Sequence, residues 1–160
     1  MGRRCSETAG GPPAAAAGSD GRLYVSCIGY SDYLNPAVDT DGRIVVIDPV
    51  ANVIVDSLII PGHPGKISVG SDGTVYVVGP GSSTGGPVLR ARLAAGEHSF
   101  EVFIPGSYYA LGVDDVNGEI YAGDAKGFSG NGADAIHRGD ASRKAEFGCG
   151  IGPTAFFAIR

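Results

Sequence analysis

The side chains able to do chemistry are few and scattered. The histidines are His63, His98 and His137, and none belongs to an HxH or HExxH pattern or has a carboxylate pair at ligand spacing, so they present no zinc site. Cys5, Cys27 and Cys149 form no CxxC pair, which argues against a zinc ribbon or a redox motif. One disulfide would leave a third thiol over, and the burial habit of free cysteine favours reading two of them as small strand residues and one as part of a loose tail. Asp39-Thr40-Asp41-Gly42-Arg43-Ile44, followed by Asp48, mimics the later part of an EF-hand loop. That loop would have to start at Ala37, however, and Ile44 to Ile47 reads as a strand rather than an exiting helix. The glycine-rich run from Gly79 to Gly86 lacks the Gly-Lys-Ser/Thr that cradles a phosphate, and no serine stands in a nucleophile elbow. Asp114-Asp115 sits in a turn, where aspartate bonds its own backbone. These residues predict a protein that is not an enzyme and that holds no metal or cofactor.

Composition narrows what must position such side chains. Within 160 residues there are 27 glycines and 10 prolines, and the hydrophobic 43% is rich in Val, Ile and Tyr, which predicts short strands punctuated by turns. A net charge of -5 with dispersed Lys and Arg leaves no footprint for nucleic acid. No apolar stretch approaches the ~18 residues of a membrane span. Residues 1–19, a Pro/Ala/Gly-rich run with two arginines and no apolar signal core, read as a flexible leader, and residues 20–160 as the domain.

The deciding pattern is a repeat of about 45 residues, the period of propeller blades. A tight turn before a Tyr-centred strand occurs at Asp20-Gly21 with Tyr24, Asp72-Gly73 with Tyr76, and Asn117-Gly118 with Tyr121. A strand-opening glycine recurs at Gly42, Gly86 and Gly132. A Pro-Gly element recurs at Pro61-Gly62 and Pro105-Gly106 and is answered by Gly150 to Pro153; an apolar strand follows each. The fold class is therefore all-β, a β-propeller of about three four-stranded blades plus a closing strand. Counting strands a to d outward, the second blade falls at 66–70, 74–79, 87–92 and 98–104, and the third at 109–114, 118–123, 133–138 and 143–149. The first has b, c and d at 22–28, 43–48 and 53–60. Its strand a would fall on Ala14 to Ala17, a poor strand former, so the C-terminal segment Thr154 to Ile159 is a candidate donor of that strand. Propellers have four to eight blades. Either a homodimer makes a six-bladed ring or N-terminal blades are missing, and truncation is favoured.

In such a blade the b-to-c and d-to-a loops share one end. The b-to-c loops are long, at Gly29 to Asp41, Pro80 to Gly86 and Asp124 to Gly132, whereas the turns at the other end are tight. Long loops on a rigid scaffold carry binding residues. The candidate ligand-binding residues are accordingly Tyr30, Asp32, Tyr33, Asn35, His63, Tyr108, Tyr109, Asp124, Lys126, Phe128 and Asn131, a set of aromatics, amides and charged groups suited to a small polar organic ligand or a protein partner. The plainer reading is that they order their own loops.

The stretch Gly42 to Gly79 resembles blades of the YVTN-type β-propeller superfamily. From Tyr121 to Ile159, with Asp124-Ala125-Lys126, Gly132, Gly150 and Pro153, the chain is similar to the ending of surface propellers of gut bacteria, often exported lipoproteins. The resemblance covers residues 20–160. It implies a seven-bladed ring in an extracytoplasmic place, and in some members capture of cobalamin for an outer-membrane transporter; the N-terminal blades and lipidation signal of that family are missing here. The expected function is a non-enzymatic ligand- or protein-binding module. The alternatives are an enzyme of lactonase or quinoprotein-dehydrogenase type, which needs metal ligands where the innermost strands offer mostly Ile, Val, Leu and Phe, or a fragment without independent function.

Overall fold

The computed structural model describes residues 11, 13–81, 85–94 and 97–156, and the strands among them form three four-stranded antiparallel sheets. The first joins β1 (Ala14–Ala17), β2 (Leu23–Cys27), β3 (Gly42–Asp48) and β4 (Val53–Ile60) in chain order. The second joins β5 (Ile67–Val69), β6 (Val75–Val78), β7 (Gly86–Ala94) and β8 (Glu97–Tyr108), and the third β9 (Ala110–Asp114), β10 (Glu119–Asp124), β11 (Ala133–Arg138) and β12 (Arg143–Gly148). Each sheet is a run of consecutive strands, as the repeat requires.

Two expectations change. The polyalanine run does form the innermost strand of the first sheet, with Ala15 opposite Val25 and Ala16 opposite Tyr24. Alanine contributes little to a strand by itself; here the ladder offered by β2 and the packing of Ala14 and Ala16 against the core decide it. No C-terminal strand is needed there: residues 151–156 run as bends and coil, and the rest of the segment expected to close the ring lies outside the described residues. Strand d of the second blade also extends past its expected end, so Pro105-Gly106 lies inside β8, where register shifts near Val88 take up the irregularity.

The tight turns owe their shape to aspartate. Asp20 Oδ1 accepts Arg22 N, Asp48 Oδ1 accepts Val50 N and Ala51 N, Asp72 Oδ1 accepts Thr74 N, Asp114 Oδ1 accepts Val116 N, and Asp140 Oδ1 accepts Ser142 N. Asp72 is held below the usual carboxylate range by the Thr74 amide and then by its hydroxyl, burial opposing.

Alternation along each strand gives every sheet two apolar faces, and stacking the sheets buries them. Between sheets 1 and 2, Tyr24, Ile44, Val46, Leu58 and Ile60 meet Ile67, Val75, Val77, Leu89 and Ala91. Between sheets 2 and 3, Val78, Val88 and Ile104 meet Leu111, Ile120 and Ala122. Ile44, Ile60, Val75 and Val77 are fully enclosed, each contributing about 1.5–3 kcal/mol by burial. This stack fixes the ends from which the loops emerge.

The repeating glycines have a steric cause. A Cβ on Gly42 would lie 2.3 Å from Pro64 Cδ and 2.4 Å from the Cys27 carbonyl; one on Gly132 would lie 2.6 Å from the Asp124 carbonyl and 2.9 Å from Pro153 Cδ. In both blades the proline of the d-to-a connection sits on the glycine that opens strand c, and Gly42 N donates to Gly62 O at 2.6 Å as Gly132 N does to Gly150 O at 3.1 Å. Cys27 is disulfide-bonded and Cys149 is a free thiol, which corrects the reading of Cys27 as an unpaired strand cysteine.

Candidate functional site

The loop ends of the inner strands surround a cavity of about 650 Å³. Ile28 follows β2, Val78 ends β6, Lys66 precedes β5, and Tyr109 is the single residue between β8 and β9, so segments bordering all three sheets contribute to its wall. His63, Pro64 and Ser31 complete the polar and apolar rim. The ionisable groups lining it are His63, Lys66 and the Tyr109 phenol, and among the described residues no carboxylate does. Lys66 makes no ion pair among the described residues, although the chain as a whole is acidic.

His63 is fixed at both nitrogens. Because a carbonyl only accepts, Nδ1 carries the proton that it gives to Ile28 O at 2.5 Å, and Nε2 lies 3.6 Å from Asp39 Oδ2. Asp39 also accepts Asp32 N at 2.6 Å and the Ser31 hydroxyl at 3.4 Å. One carboxylate thus ties the first b-to-c loop to the d-to-a connection that bears His63. Asp41 Oδ1 accepts Gly62 N at 2.8 Å, joining the same two segments. Asp48 lies in the turn at the opposite end, so the acidic residues that mimic a calcium loop do not converge. Among the described residues no three His, Cys, Asp or Glu side chains are grouped to hold a metal.

Of the eleven residues singled out from the sequence, His63 and Tyr109 line this cavity. Phe128 stands behind Tyr109, the rings edge to face with centroids 4.9 Å apart. It does so from a strained turn: Lys126, Gly127 and Phe128 have φ of 48°, 68° and 58°, and left-handed backbone at two non-glycine residues is costly. Asp32 and Asn35 shape their own loop, Asp32 Oδ1 accepting Leu34 N at 2.9 Å and Asn35 N at 3.2 Å. Tyr30 is half exposed, Tyr33 is almost wholly so at 96%, and Asn131 faces solvent.

Tyr108, Asp124 and Lys126 belong to a second, smaller recess of about 140 Å³ beside Arg143 and Glu146. Lys126 Nζ pairs with Asp124 Oδ2 at 2.7 Å. Burial pushes the Asp124 carboxyl up, but hydrogen bonds from the Lys126 side chain and amide outweigh it and hold the group below its ordinary range. The Tyr108 ring meets His137 edge-on at 6.0 Å; the His137 Nδ1 proton goes to Ala141 O, leaving Nε2 toward the Tyr108 hydroxyl at 3.4 Å. Tyr108 is thereby as much part of the sheet 2 to sheet 3 junction as of the loop face. Lys66 and Ser31 line the large cavity without being among the eleven residues singled out from the sequence. Lys66 was readable as the one cation at the start of an innermost strand, three residues beyond His63 in the same connection.

No protein-family model matches the chain, and no curated protein matches it in sequence. In solved structures it is similar to a hydrazine synthase of Kuenenia stuttgartiensis, at TM-score 0.66 and 13% identity over 94% of this chain and 39% of that one. It is also similar to a quinoprotein alcohol dehydrogenase-like protein of Bacteroides thetaiotaomicron, at TM-score 0.59 and 14% identity over 85% of this chain and 33% of that one. The three sheets are blades of a β-propeller. The chain spans well under half the length of either protein. The expectation that the protein is not an enzyme is overturned as an exclusion, because a hydrazine synthase is built on the same fold; identity this low carries the fold alone and transfers no reaction.

Proposed function

We propose that this chain is a ligand-binding module of an exported β-propeller of the YVTN type, and that the loop-end cavity takes a small organic anion. The observation that carries the reading is Lys66 beside a wall of Ile28, Val78 and Tyr109 to which no carboxylate among the described residues contributes. A cation that makes no ion pair among the described residues, beside the Ser31 and Tyr109 hydroxyls and an apolar surface, suits a carboxylate attached to an apolar or aromatic body. The volume of about 650 Å³ lies in the ordinary range for such ligands. A corrinoid, the ligand implied by the resemblance to surface lipoproteins, is larger and would have to spread over the exposed Tyr30 and Tyr33 as well. The disulfide at Cys27 supports an extracytoplasmic place, where such bonds persist.

The test is calorimetric titration and thermal shift with benzoate, phenylacetate and indole-3-acetate beside their neutral amides, with cyanocobalamin as the large-ligand arm. Stabilisation by an acid but not its amide, lost in Lys66→Ala, is the expected result. Equal response to acid and amide, or none to either, overturns the reading.

A further inference from the structure

In an Asn-Gly pair the glycine amide can attack the asparagine side chain with little hindrance, because glycine puts no Cβ in the way. The sequence has two such pairs, Asn117-Gly118 and Asn131-Gly132. The fold treats them differently. Both asparagines are exposed, but Gly132 is buried whereas Gly118 is exposed. Gly132 N donates to Gly150 O at 3.1 Å, and a Cβ there would lie 2.9 Å from Pro153 Cδ and 3.0 Å from Cys149 Sγ. That amide is tied and packed. A Cβ on Gly118 would meet nothing within 4 Å, and among the described residues no turn or loop backbone hydrogen bond ends on Gly118 N.

Asn117 also stands where its loss would be felt. It lies in the turn between β9 and β10, where its Nδ2 donates to Asp114 Oδ2 at 2.7 Å while Asp114 Oδ1 accepts Val116 N at 3.0 Å. Asp114 is only 7% exposed, so the Asn117 amide serves a buried carboxylate. The next residue, Asp115, reaches out of its blade: its Oδ1 accepts Ser71 N, in the corresponding turn of blade 2, at 2.7 Å. Ser71 O in turn accepts the Ser19 hydroxyl of blade 1 at 2.9 Å. The a-to-b turns of the three blades are thus joined in a row, and Asn117 braces the turn that carries the last link.

We propose that Asn117-Gly118 is a site of spontaneous deamidation whose conversion loosens the seam between blades 2 and 3. The Gly118 nitrogen bonds to Asn117 Cγ, the Cγ–Nδ2 bond breaks, and Nδ2 leaves as ammonia with the Gly118 amide proton, closing a succinimide ring. Water adding at Cγ reopens the new bond and leaves aspartate. Water adding at the Asn117 main-chain carbonyl carbon breaks the original peptide bond instead and leaves isoaspartate. The net change is one water in and one ammonia out, with nothing oxidised or reduced. Either product replaces a hydrogen-bond donor with a carboxylate facing Asp114, and like charges so close oppose each other. Isoaspartate also lengthens the main chain inside a turn whose strands are registered with Asp114 opposite Glu119. Asp115 rides on that turn, so its bond to Ser71 weakens with it.

The experiment ages the full chain at neutral pH and physiological temperature, folded and urea-unfolded side by side. Trypsin separates the two sites, residues 93–126 carrying Asn117 and residues 127–138 carrying Asn131. Mass spectrometry reads the amide-to-acid mass gain on each peptide, and labelling by an isoaspartyl methyltransferase reads the isoaspartate. The folded chain should convert Asn117 at least about tenfold faster than Asn131, the scale of first breaking the Gly132 hydrogen bond. The unfolded chain should convert the two at similar rates. Asn117→Gln, which keeps the amide on a side chain too long to close that ring, should not convert. In the converted chain the Ser71 amide should exchange with deuterium faster than in the fresh one, and fresh Asn117→Asp should show part of that effect. An Asn117 that survives ageing, or equal conversion of both sites in the folded chain, overturns the proposal. Conversion that leaves Ser71 exchange unchanged overturns the link to the seam.

Discussion

The ring of Phe128 meets the ring of Tyr109 edge to face at 4.9 Å, joining the last b-to-c loop to the shortest d-to-a connection at the wall of the cavity. Phe128→Ala removes that support. The expected loss is about 1 kcal/mol of stability, the worth of an aromatic pair beyond its area, together with weaker binding of whatever the cavity holds. Chemical denaturation and titration of the same variant check both; unchanged binding alongside the stability loss would confine Phe128 to a structural role.

Gly42 and Gly73 separate two reasons for glycine. Gly73 has φ of +79° with nothing near its would-be Cβ, so Gly73→Ala should cost only the ~1–2 kcal/mol of left-handed backbone. Gly42→Ala drives a methyl into Pro64 and the Cys27 carbonyl and should cost well beyond that. Parallel urea titrations decide, and equal costs would refute the steric account of the repeat.

His98 Nε2 lies 2.9 Å from Asp56 Oδ1, tying the outermost strands of blades 1 and 2. Both groups are partly exposed, and a double-mutant cycle of His98→Ala and Asp56→Ala should return a coupling of about 0.2–1 kcal/mol. A coupling of zero would remove this pair from the contacts that hold these blades, leaving the apolar core with the Ser26 to Gly65 hydrogen bond.

Asp72 and Asp124 titrate below their ordinary range in the folded chain. A depressed folded pKa gives stability that is fully present above the unfolded value of about 3.9 and is lost as pH falls through the folded value. Melting temperature should therefore be flat through neutral pH on account of these groups and decline below about pH 4, with the decline shallower in Asp72→Asn. An acid limb of unchanged slope in that variant would place the linkage on other carboxylates.

Much of this architecture was legible because the repeat is written in residues with one structural use. Asp-Gly and Asn-Gly mark turns, Val-Tyr-Val and Gly-Arg-Ile-Val-Val-Ile alternate at the strand period, and strands of the second and third blades fall within a few residues of their expected places. Ala14 to Ala17 were unreadable as a strand because their conformation is imposed by β2. At the loop face, His63 and Tyr109 share the wall of one cavity because the loop containing His63 and the connection at Tyr109 open at the same end. The division of the loop residues between a large cavity and a small recess depends on side-chain directions that spacing does not encode. The disulfide at Cys27 was equally out of reach, since three cysteines leave the pairing open.

Each sheet is made of four strands in unbroken chain order, with none borrowed from a neighbour. Among the described residues no backbone ladder crosses from one blade to the next, and successive blades meet through side chains. A gene segment of one period inserted or deleted between blades would break no ladder, and only the side chains at a single seam would need to adjust. Copy number is thus the cheapest variable in the history of such a chain, with ring size free to drift by duplication while the interior of every unit is inherited intact.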